Sequence, residues 1–228
     1  AIVRRLVGSE MCIRDSRFAP LLGCAATTAA GVIGRDAGLR LGESVVVIGT
    51  GGVGLLIVEA ARASGGFPIV GVDRVAERLE YAHRMGATAT INVVEKDDDL
   101  EKAILRALDG ASPDVVVETT GNKSMIELGY RLASWGGRCI LVGVPKHDEP
   151  ATIDSLPLHF EAVLTGSKGG GTRPEIDIPR LADLSMNGLF RLQDLPITML
   201  TLDRVNEGID AVRPVSYTHL RAHETTNY

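Results

Sequence analysis

The sequence predicts an α/β fold in which helices cover both faces of a doubly wound, parallel β-sheet. Short β-branched runs alternate with amphipathic stretches from Leu41 onward, which is the pattern of repeated strand–helix–strand units. The run at residues 44–48 is the clearest strand, because it is uncharged, β-branched and followed directly by glycine. No repeat, low-complexity tract or long linker interrupts the pattern before Val212. We therefore expect one continuous α/β domain.

The remaining elements follow in alternation along the chain. Beyond the first strand, strands are predicted at residues 68–72, 89–92, 114–118, 138–142 and 162–166. Helices are predicted at residues 52–64, 75–85, 100–108, 125–133, 178–186 and 205–212. Parallel strands joined by helices form right-handed crossovers, so the helices are divided between the two faces of the sheet.

A glycine motif joins the first predicted strand to the first predicted helix. The segment Gly49-Thr50-Gly51-Gly52-Val53-Gly54 matches G-x-G-x-x-G, in which Gly49 permits a tight turn, Gly51 lets a pyrophosphate approach, and Gly54 lets the helix pack closely. Asp73 ends the second predicted strand, about 20 residues later, where an acid binds the adenosine ribose hydroxyls. This indicates a Rossmann-type dinucleotide site. The alternative is a glycine turn in an unrelated α/β domain, with Asp73 capping the next helix.

Composition excludes several other classes of function. The net charge is −5 and there is no basic run, so we expect no nucleic-acid partner. No apolar stretch approaches the ~20 residues that a membrane span requires. The three cysteines are far apart and odd in number, which argues against a disulfide framework and favours a cytoplasmic protein.

Several segments together resemble zinc-dependent, medium-chain alcohol dehydrogenases, over a range from Phe18 to Arg213. Besides the glycine motif, the matching segments are Leu21-Leu22-Gly23-Cys24-Ala25-Ala26-Thr27-Thr28, Gly71-Val72-Asp73, Met85-Gly86-Ala87-Thr88, Glu118-Thr119-Thr120-Gly121, Val142-Gly143-Val144-Pro145 and Gly166-Ser167-Lys168-Gly169-Gly170. The resemblance implies a Rossmann domain that binds NAD and acts in hydride transfer between an alcohol and an aldehyde. It also implies a homodimer that forms through the strand at residues 162–166.

The resemblance also implies roles for individual residues of the cofactor site. Gly52 and Val53 would contact the pyrophosphate through their backbone, and Arg78 would reach the adenosine ribose beside Asp73. Further positions line the nicotinamide end and the cleft that leads to it: Thr28, Thr120, Val142, Val144, Ser167 and Gly169. Ser167 and Gly169 would read the carboxamide through backbone groups. The alternative for Thr120, Val142 and Val144 is plain core packing at strand ends.

The resemblance further implies that Cys24 is a ligand of a catalytic zinc ion. A catalytic zinc site needs three protein ligands and one open position. In the family, a Cys and a His from a GroES-like N-terminal domain supply the other two, and we expect that domain to be missing from this chain. Cys24 would then be one ligand of three, and the chain would be inactive alone. A buried free cysteine is the alternative role for Cys24.

The two ends of the chain depart from the family's pattern. Residues 1–16 and 214–228 resemble translated sequencing-adaptor read-through, so residues 17–213 are the expected NAD-binding domain. The leading hypothesis is therefore the cofactor-binding part of a zinc-dependent NAD(H) alcohol dehydrogenase. Two alternatives stay open at this point: a non-catalytic NAD-binding module, and a zinc-free protein similar to medium-chain quinone reductases. The sequence does not indicate which alcohol or aldehyde would be the substrate.

Overall fold

The computed structural model describes residues 17–94, 99–133, 135–212 and 220–223. Within these residues, a six-stranded parallel sheet has the order β3-β2-β1-β4-β5-β6. Its strands are β1 (Val45–Ile48), β2 (Ile69–Asp73), β3 (Ala89–Asn92), β4 (Val115–Glu118), β5 (Arg138–Leu141) and β6 (Val163–Gly166). This order is that of the Rossmann fold, and it confirms the predicted doubly wound sheet.

Helices lie before, between and after the strands. They are α1 (Ala19–Leu22), α2 (Ala25–Gly31), α3 (Gly52–Ala63), α4 (Ala76–Met85), α5 (Leu100–Ala107), α6 (Lys123–Leu132), α7 (Pro174–Met186) and α8 (Val205–Val212). A π-helical turn at Val32–Asp36 continues α2, and 3-10 turns occupy Leu156–Phe160, Gly169–Gly171, Leu192–Asp194 and Leu202–Arg204. None of the helices among the described residues is long and apolar enough to cross a membrane.

Both faces of the sheet are buried, which explains the continuous apolar strands. Val45 and Val47 of β1 pack into one core with α2 and α3, whereas Val46 and Ile48 pack into a second core on the opposite face. Alternate residues of a strand point to opposite faces, so an uninterrupted valine–isoleucine run is what a doubly covered strand requires.

The prediction for the helix at residues 178–186 was wrong at its start. Helix α7 begins at Pro174 and contains Pro179. Proline is well tolerated in the first turn of a helix, where its missing N–H has no intrahelical partner. The predicted start was therefore four residues too late, although the predicted range already contained Pro179. The sequence pattern also missed α1, α2 and the π-helical turn.

A second, smaller sheet lies near the end of the chain. Strand β7 (Thr198–Thr201) pairs in parallel with β8 (Leu220–His223). Neither strand was predicted, and β8 lies in the segment that the sequence analysis set aside. The candidate site lies at the carboxyl ends of β1, β2, β4, β5 and β6 of the large sheet.

Candidate cofactor-binding site

The candidate site lies at the carboxyl edge of the large sheet, where the strand order reverses. Strand β1 lies between β2 and β4, so the loop from β1 into α3 opens between the two halves of the sheet. Ligands of doubly wound folds bind at this switch point. The loop contains the glycine motif, Gly49 to Gly54.

Glycine is required at both ends of the motif for steric reasons. Gly49 adopts a φ of +90°, and a Cβ there would lie 2.4 Å from Oγ1 of Thr119. A Cβ on Gly54 would lie 1.9 Å from the carbonyl oxygen of Gly49. Gly51 differs, because no described atom beyond its chain neighbours lies within 4 Å of the position that a Cβ would take. The loop is thus closed against the protein at its ends and open at Gly51, at the N-terminus of α3.

Asp73 joins the end of β2 to the glycine loop. Its Oδ2 accepts hydrogen bonds from the backbone N–H of Thr50 at 2.7 Å and from the Thr50 hydroxyl at 3.3 Å. Its Oδ1 accepts from the N–H groups of Arg74 and Val75, at 2.8 and 3.0 Å. Arg78 approaches the same carboxylate, with Nη1 at 4.0 Å from Oδ2. Asp73 therefore orders both the glycine loop and the turn before α4, and it does so from a buried position.

Glu118 is a buried carboxylate in the site that the sequence analysis did not single out. It ends β4 and accepts hydrogen bonds from the N–H groups of Thr120 and Gly121, at 2.7 and 3.0 Å, and from the Thr120 hydroxyl. The signal in the sequence was an acidic residue at the end of an apolar strand. Glu118 fixes the loop after β4, on which Thr120 is exposed.

The loops after β4 and β5 touch each other through glycine. A Cβ on Gly121 would lie 2.3 Å from the carbonyl oxygen of Val144, and one on Gly143 would lie 2.1 Å from the nitrogen of Gly121. Val142 packs partly against the core, whereas Val144 is 89% exposed. Core packing therefore does not account for Val144.

A second glycine loop closes the other side of the site. It follows β6 and includes Ser167 and the 3-10 turn Gly169–Gly171. Gly170 packs against α2: a Cβ there would lie 2.5 Å from the carbonyl oxygen of Thr28 and 2.8 Å from Cα of Gly31. A Cβ on Gly169 would lie 4.0 Å from Oγ1 of Thr28. The structure thus brings Thr28 and Gly169 together, although they are far apart in sequence.

The two described cysteines have opposite environments. Cys24 is exposed and precedes α2 as its N-cap residue, so it is not the buried cysteine of the alternative interpretation. Cys139 is buried in β5, where burial and the nearby Glu118 raise the pKa of its thiol to about 12. Across the described ranges, no group of three or more His, Cys, Asp or Glu side chains could hold a metal ion. These residues by themselves do not form a zinc site around Cys24.

A separate cavity of about 600 Å³ lies on the outer side of α4 and β3. Leu79, His83 and Thr90 are among the residues that line it. It is open to solvent, and none of the residues that line it belongs to either glycine loop.

Comparisons with known proteins agree with this geometry. The family model of the zinc-binding dehydrogenases matches residues 52–185. Alcohol dehydrogenase-like 3 of Arabidopsis thaliana is 33% identical over 197 residues, which are 85% of this chain and 49% of that protein. The crystal structure of benzyl alcohol dehydrogenase from Acinetobacter calcoaceticus matches with a TM-score of 0.83 and 28% identity, covering 90% of this chain and 56% of the other. An alcohol dehydrogenase zinc-binding domain protein from Burkholderia ambifaria matches with a TM-score of 0.82 and 29% identity, covering 90% and 54%.

The chain spans about half the length of the curated relatives that it matches. The family model covers more than half of the chain and includes α3, β2 and the loop after β6. The chain therefore belongs to the zinc-binding dehydrogenase family, the family that its glycine motif and its Cys24 segment had indicated.

Proposed function

We propose that this chain is the NAD(H)-binding part of an alcohol dehydrogenase, in which hydride passes between an alcohol or aldehyde and NAD. The observation that carries the proposal is the open cradle at Gly51, with the buried carboxylate of Asp73 beside it at the switch point of the sheet. The names of the relatives, which are alcohol dehydrogenases, support the substrate class. They favour this function over the zinc-free quinone reductase alternative.

The residues of the cradle suit a dinucleotide. The N–H groups of Gly52 and Val53 begin α3, and a helix N-terminus attracts the negative charge of a pyrophosphate. Asp73 would bind the adenosine ribose, with Arg78 beside it. Thr28, Ser167 and Gly169 would surround the nicotinamide.

The outer cleft would be lined by Thr120, Val142 and Val144, which follow β4 and β5. NAD, when bound there, supplies the hydride acceptor. The residues of the protein would hold the nicotinamide ring and exclude water from it.

Cys24 is proposed as one zinc ligand, completed by a Cys and a His of a GroES-like domain. Its exposed position before α2 leaves the thiol accessible to a partner domain. We also propose a homodimer in which β6 pairs antiparallel with its copy across a two-fold axis. Strand β6 is the last strand of the sheet order and Val163 is exposed on it, so its outer edge has backbone groups available for pairing.

Cofactor preference tests the proposed role of Asp73. A 2′-phosphate would lie beside the carboxylate, and two unit charges ~4 Å apart at an effective dielectric constant of ~20 repel by roughly 4 kcal/mol. We expect calorimetric titration of the native chain to show NAD binding more than tenfold tighter than NADP. Asp73→Asn should reduce this discrimination, because it removes the charge and keeps a hydrogen-bond acceptor for Thr50. Equal affinities of the native chain for NAD and NADP would contradict the proposal.

A fusion protein would distinguish the two proposed functions, a dehydrogenase and a non-catalytic NAD-binding module. The GroES-like domain of an alcohol dehydrogenase would be joined before Phe18, and NADH formation from short alcohols would be measured with zinc present. Alcohol-dependent NADH formation that is lost in Cys24→Ser supports the dehydrogenase. NAD binding with no turnover by the fusion favours the non-catalytic module.

A further inference from the structure

We propose that Arg35 and Asp177 are positioning residues that hold the second glycine loop, Gly169–Gly171, in the conformation that receives the nicotinamide. The inference rests on the proposed NAD-binding function. It assigns to this pair a task that the sequence analysis did not foresee, since neither residue belongs to the glycine motifs.

Arg35 binds the loop backbone directly. Its Nε donates to the carbonyl oxygens of Gly170 and Gly171, each at 3.2 Å. Arg35 lies in the π-helical turn that continues α2, so it approaches the loop from the helix against which Gly170 packs. The Arg35 side chain therefore holds two successive carbonyl groups of the turn by hydrogen bonds.

Asp177 fixes the guanidinium from the opposite side. Its two carboxylate oxygens accept from the two terminal nitrogens of Arg35, with the Nη1–Oδ1 pair at 3.5 Å and the Nη2–Oδ2 pair closer. Asp177 is 7% exposed and also accepts a hydrogen bond from the N–H of Arg173, at 2.7 Å. A bidentate pair of this kind orients a guanidinium plane, which a single contact does not. The π-helical turn, the glycine loop and the start of α7 are thus joined through one ion pair.

The loop needs such support because of its composition. Gly169, Gly170 and Gly171 have φ values of +60°, +66° and +54°, a left-handed run that other residues rarely adopt. Glycine loses more backbone freedom than other residues when it is ordered, so three consecutive glycines are costly to fix. Arg35 and the packing of Gly170 on α2 oppose this freedom, together with hydrogen bonds of the turn itself, such as the one from the N–H of Gly170 to the Ser167 hydroxyl.

The position of the loop bears on the nicotinamide end alone. Gly169 lies beside Thr28, and the Ser167 hydroxyl accepts a hydrogen bond from the N–H of Gly170 at 2.9 Å. A shift of Gly170 therefore moves the two proposed carboxamide-reading residues, Ser167 and Gly169, which precede it in the loop. The adenosine end is held separately, by the bonds between Asp73 and Thr50.

The test compares two ligands and two matched substitutions in the full chain. Calorimetry would measure the affinities for NAD and for ADP-ribose, which lacks the nicotinamide, in the native chain, Arg35→Met and Asp177→Asn. Arg131→Met is the matched control, because Arg131 forms an exposed ion pair with Glu101 on another part of the surface. We expect Arg35→Met to weaken NAD binding about tenfold while ADP-ribose binding changes less than twofold. Arg131→Met should leave both affinities unchanged.

Hydrogen exchange provides a readout that does not depend on the cofactor. The amides of Gly170 and Gly171 should exchange faster in Arg35→Met and in Asp177→Asn, whereas the amide of Thr50 should keep its native rate. Arg35→Lys keeps the charge and is included in case Arg35→Met fails to fold. Its NAD affinity should lie between those of the native chain and Arg35→Met. The double variant should resemble the single ones, because the two residues act as one unit.

The outcomes separate the inference from the proposed function. An equal loss of NAD and ADP-ribose affinity in Arg35→Met and Arg35→Lys, or an unchanged NAD affinity, would overturn the positioning role while leaving the cofactor site in place. Native binding of NAD no tighter than that of ADP-ribose would overturn it too. Binding of neither ligand by the native chain would overturn the proposed function, and this inference with it.

Discussion

The two glycine loops of the site are built in different ways. In the first loop, Gly49, Thr50 and Gly54 are buried against the sheet and against one another. In the second loop, Gly169 and Gly171 are exposed and Gly170 alone is buried. The first is thus part of the core, and the second is a surface turn fastened to a helix.

The difference lies in what glycine contributes to each loop. At Gly54 the φ value is ordinary and the neighbouring backbone leaves no room for a Cβ. At Gly171 there is room for a Cβ, and the positive φ favours glycine. Packing excludes a side chain at Gly54 of the first loop and at Gly170 of the second, whereas at Gly171 the positive φ alone favours glycine. The first loop is therefore the more firmly packed of the two, and the second, at the end of the site proposed for the nicotinamide, has more freedom to adjust.

The largest expected effect comes from filling the packed position of the first loop. Gly54→Ala places a Cβ 1.9 Å from the carbonyl oxygen of Gly49, so the helix must move away from the strand. We expect a loss of about 3 kcal/mol in the free energy of unfolding, measured by urea denaturation. Gly51→Ala is the control, because its Cβ would point into open space, and it should change stability by less than about 0.5 kcal/mol. Equal losses in the two variants would show that packing does not distinguish the positions.

The sequence predicted the parts of the molecule that local pattern determines. Short apolar runs marked the strands of the large sheet except β3, whose sequence is ATIN, and the spacing of Gly49, Gly51, Gly54 and Asp73 indicated the cradle. The residues that hold the second loop in place had no such pattern in the sequence. Arg35 and Asp177 are separated by more than half of the chain, and an ion pair between distant residues has no period or spacing to detect.

The same limit explains the other features that were missed. Glu118 was read as the end of a strand, and its role depends on N–H groups of a turn that the pattern does not describe. Glu59 lay unremarked within a predicted helix, yet it is fully buried beneath two arginines.

A buried ion-pair cluster towards the far end of α3, the helix that begins in the first loop, gives the next prediction. Glu59 accepts from Arg62 Nη2 at 2.7 Å and from Arg191 Nη2 at 2.9 Å, which joins α3 to the chain after α7. Breaking a buried pair costs about 3–5 kcal/mol, and the partial exposure of both arginines reduces this. We expect Glu59→Gln to lose about 2 kcal/mol of unfolding free energy. Glu101→Gln, which affects an exposed pair, should lose less than about 0.5 kcal/mol.

The pH dependence of stability checks the same cluster. Burial raises the pKa of Glu59, but hydrogen bonds from Arg62 and Arg191 outweigh it, so the net pKa lies below the ordinary value of 4.5. A carboxyl with a lowered folded-state pKa stabilises the protein above its unfolded pKa, and this contribution is lost as the pH falls through the folded value. Unfolding free energies measured from neutral pH to below pH 4 should therefore fall more steeply in the native chain than in Glu59→Gln. Parallel curves would contradict the role assigned to Glu59.

The smallest expected effect concerns the strain in the second loop. Gly171→Ala keeps clear of its neighbours, since its Cβ would lie 3.8 Å from Nε of Arg35, but it imposes a side chain at a φ of +54°. Gly188 is a matched position: its φ is +69°, and no described atom lies within 4 Å of its Cβ position. An alanine forced into the left-handed region costs roughly 1–2 kcal/mol wherever the backbone is held in place.

The loss of unfolding free energy in Gly171→Ala, compared with that in Gly188→Ala, measures how firmly Arg35 holds the loop. If the carbonyl contacts fix Gly171, Gly171→Ala should lose about as much unfolding free energy as Gly188→Ala, roughly 1 kcal/mol. In an Arg35→Met background the loop can rotate its peptide planes to relieve the strain, so the cost of Gly171→Ala should fall well below that of Gly188→Ala. Urea denaturation of the four combinations would measure this coupling. The same cost for Gly171→Ala with and without Arg35 would mean that the loop is as rigid as the first, and the contrast between the two ends of the site would then disappear.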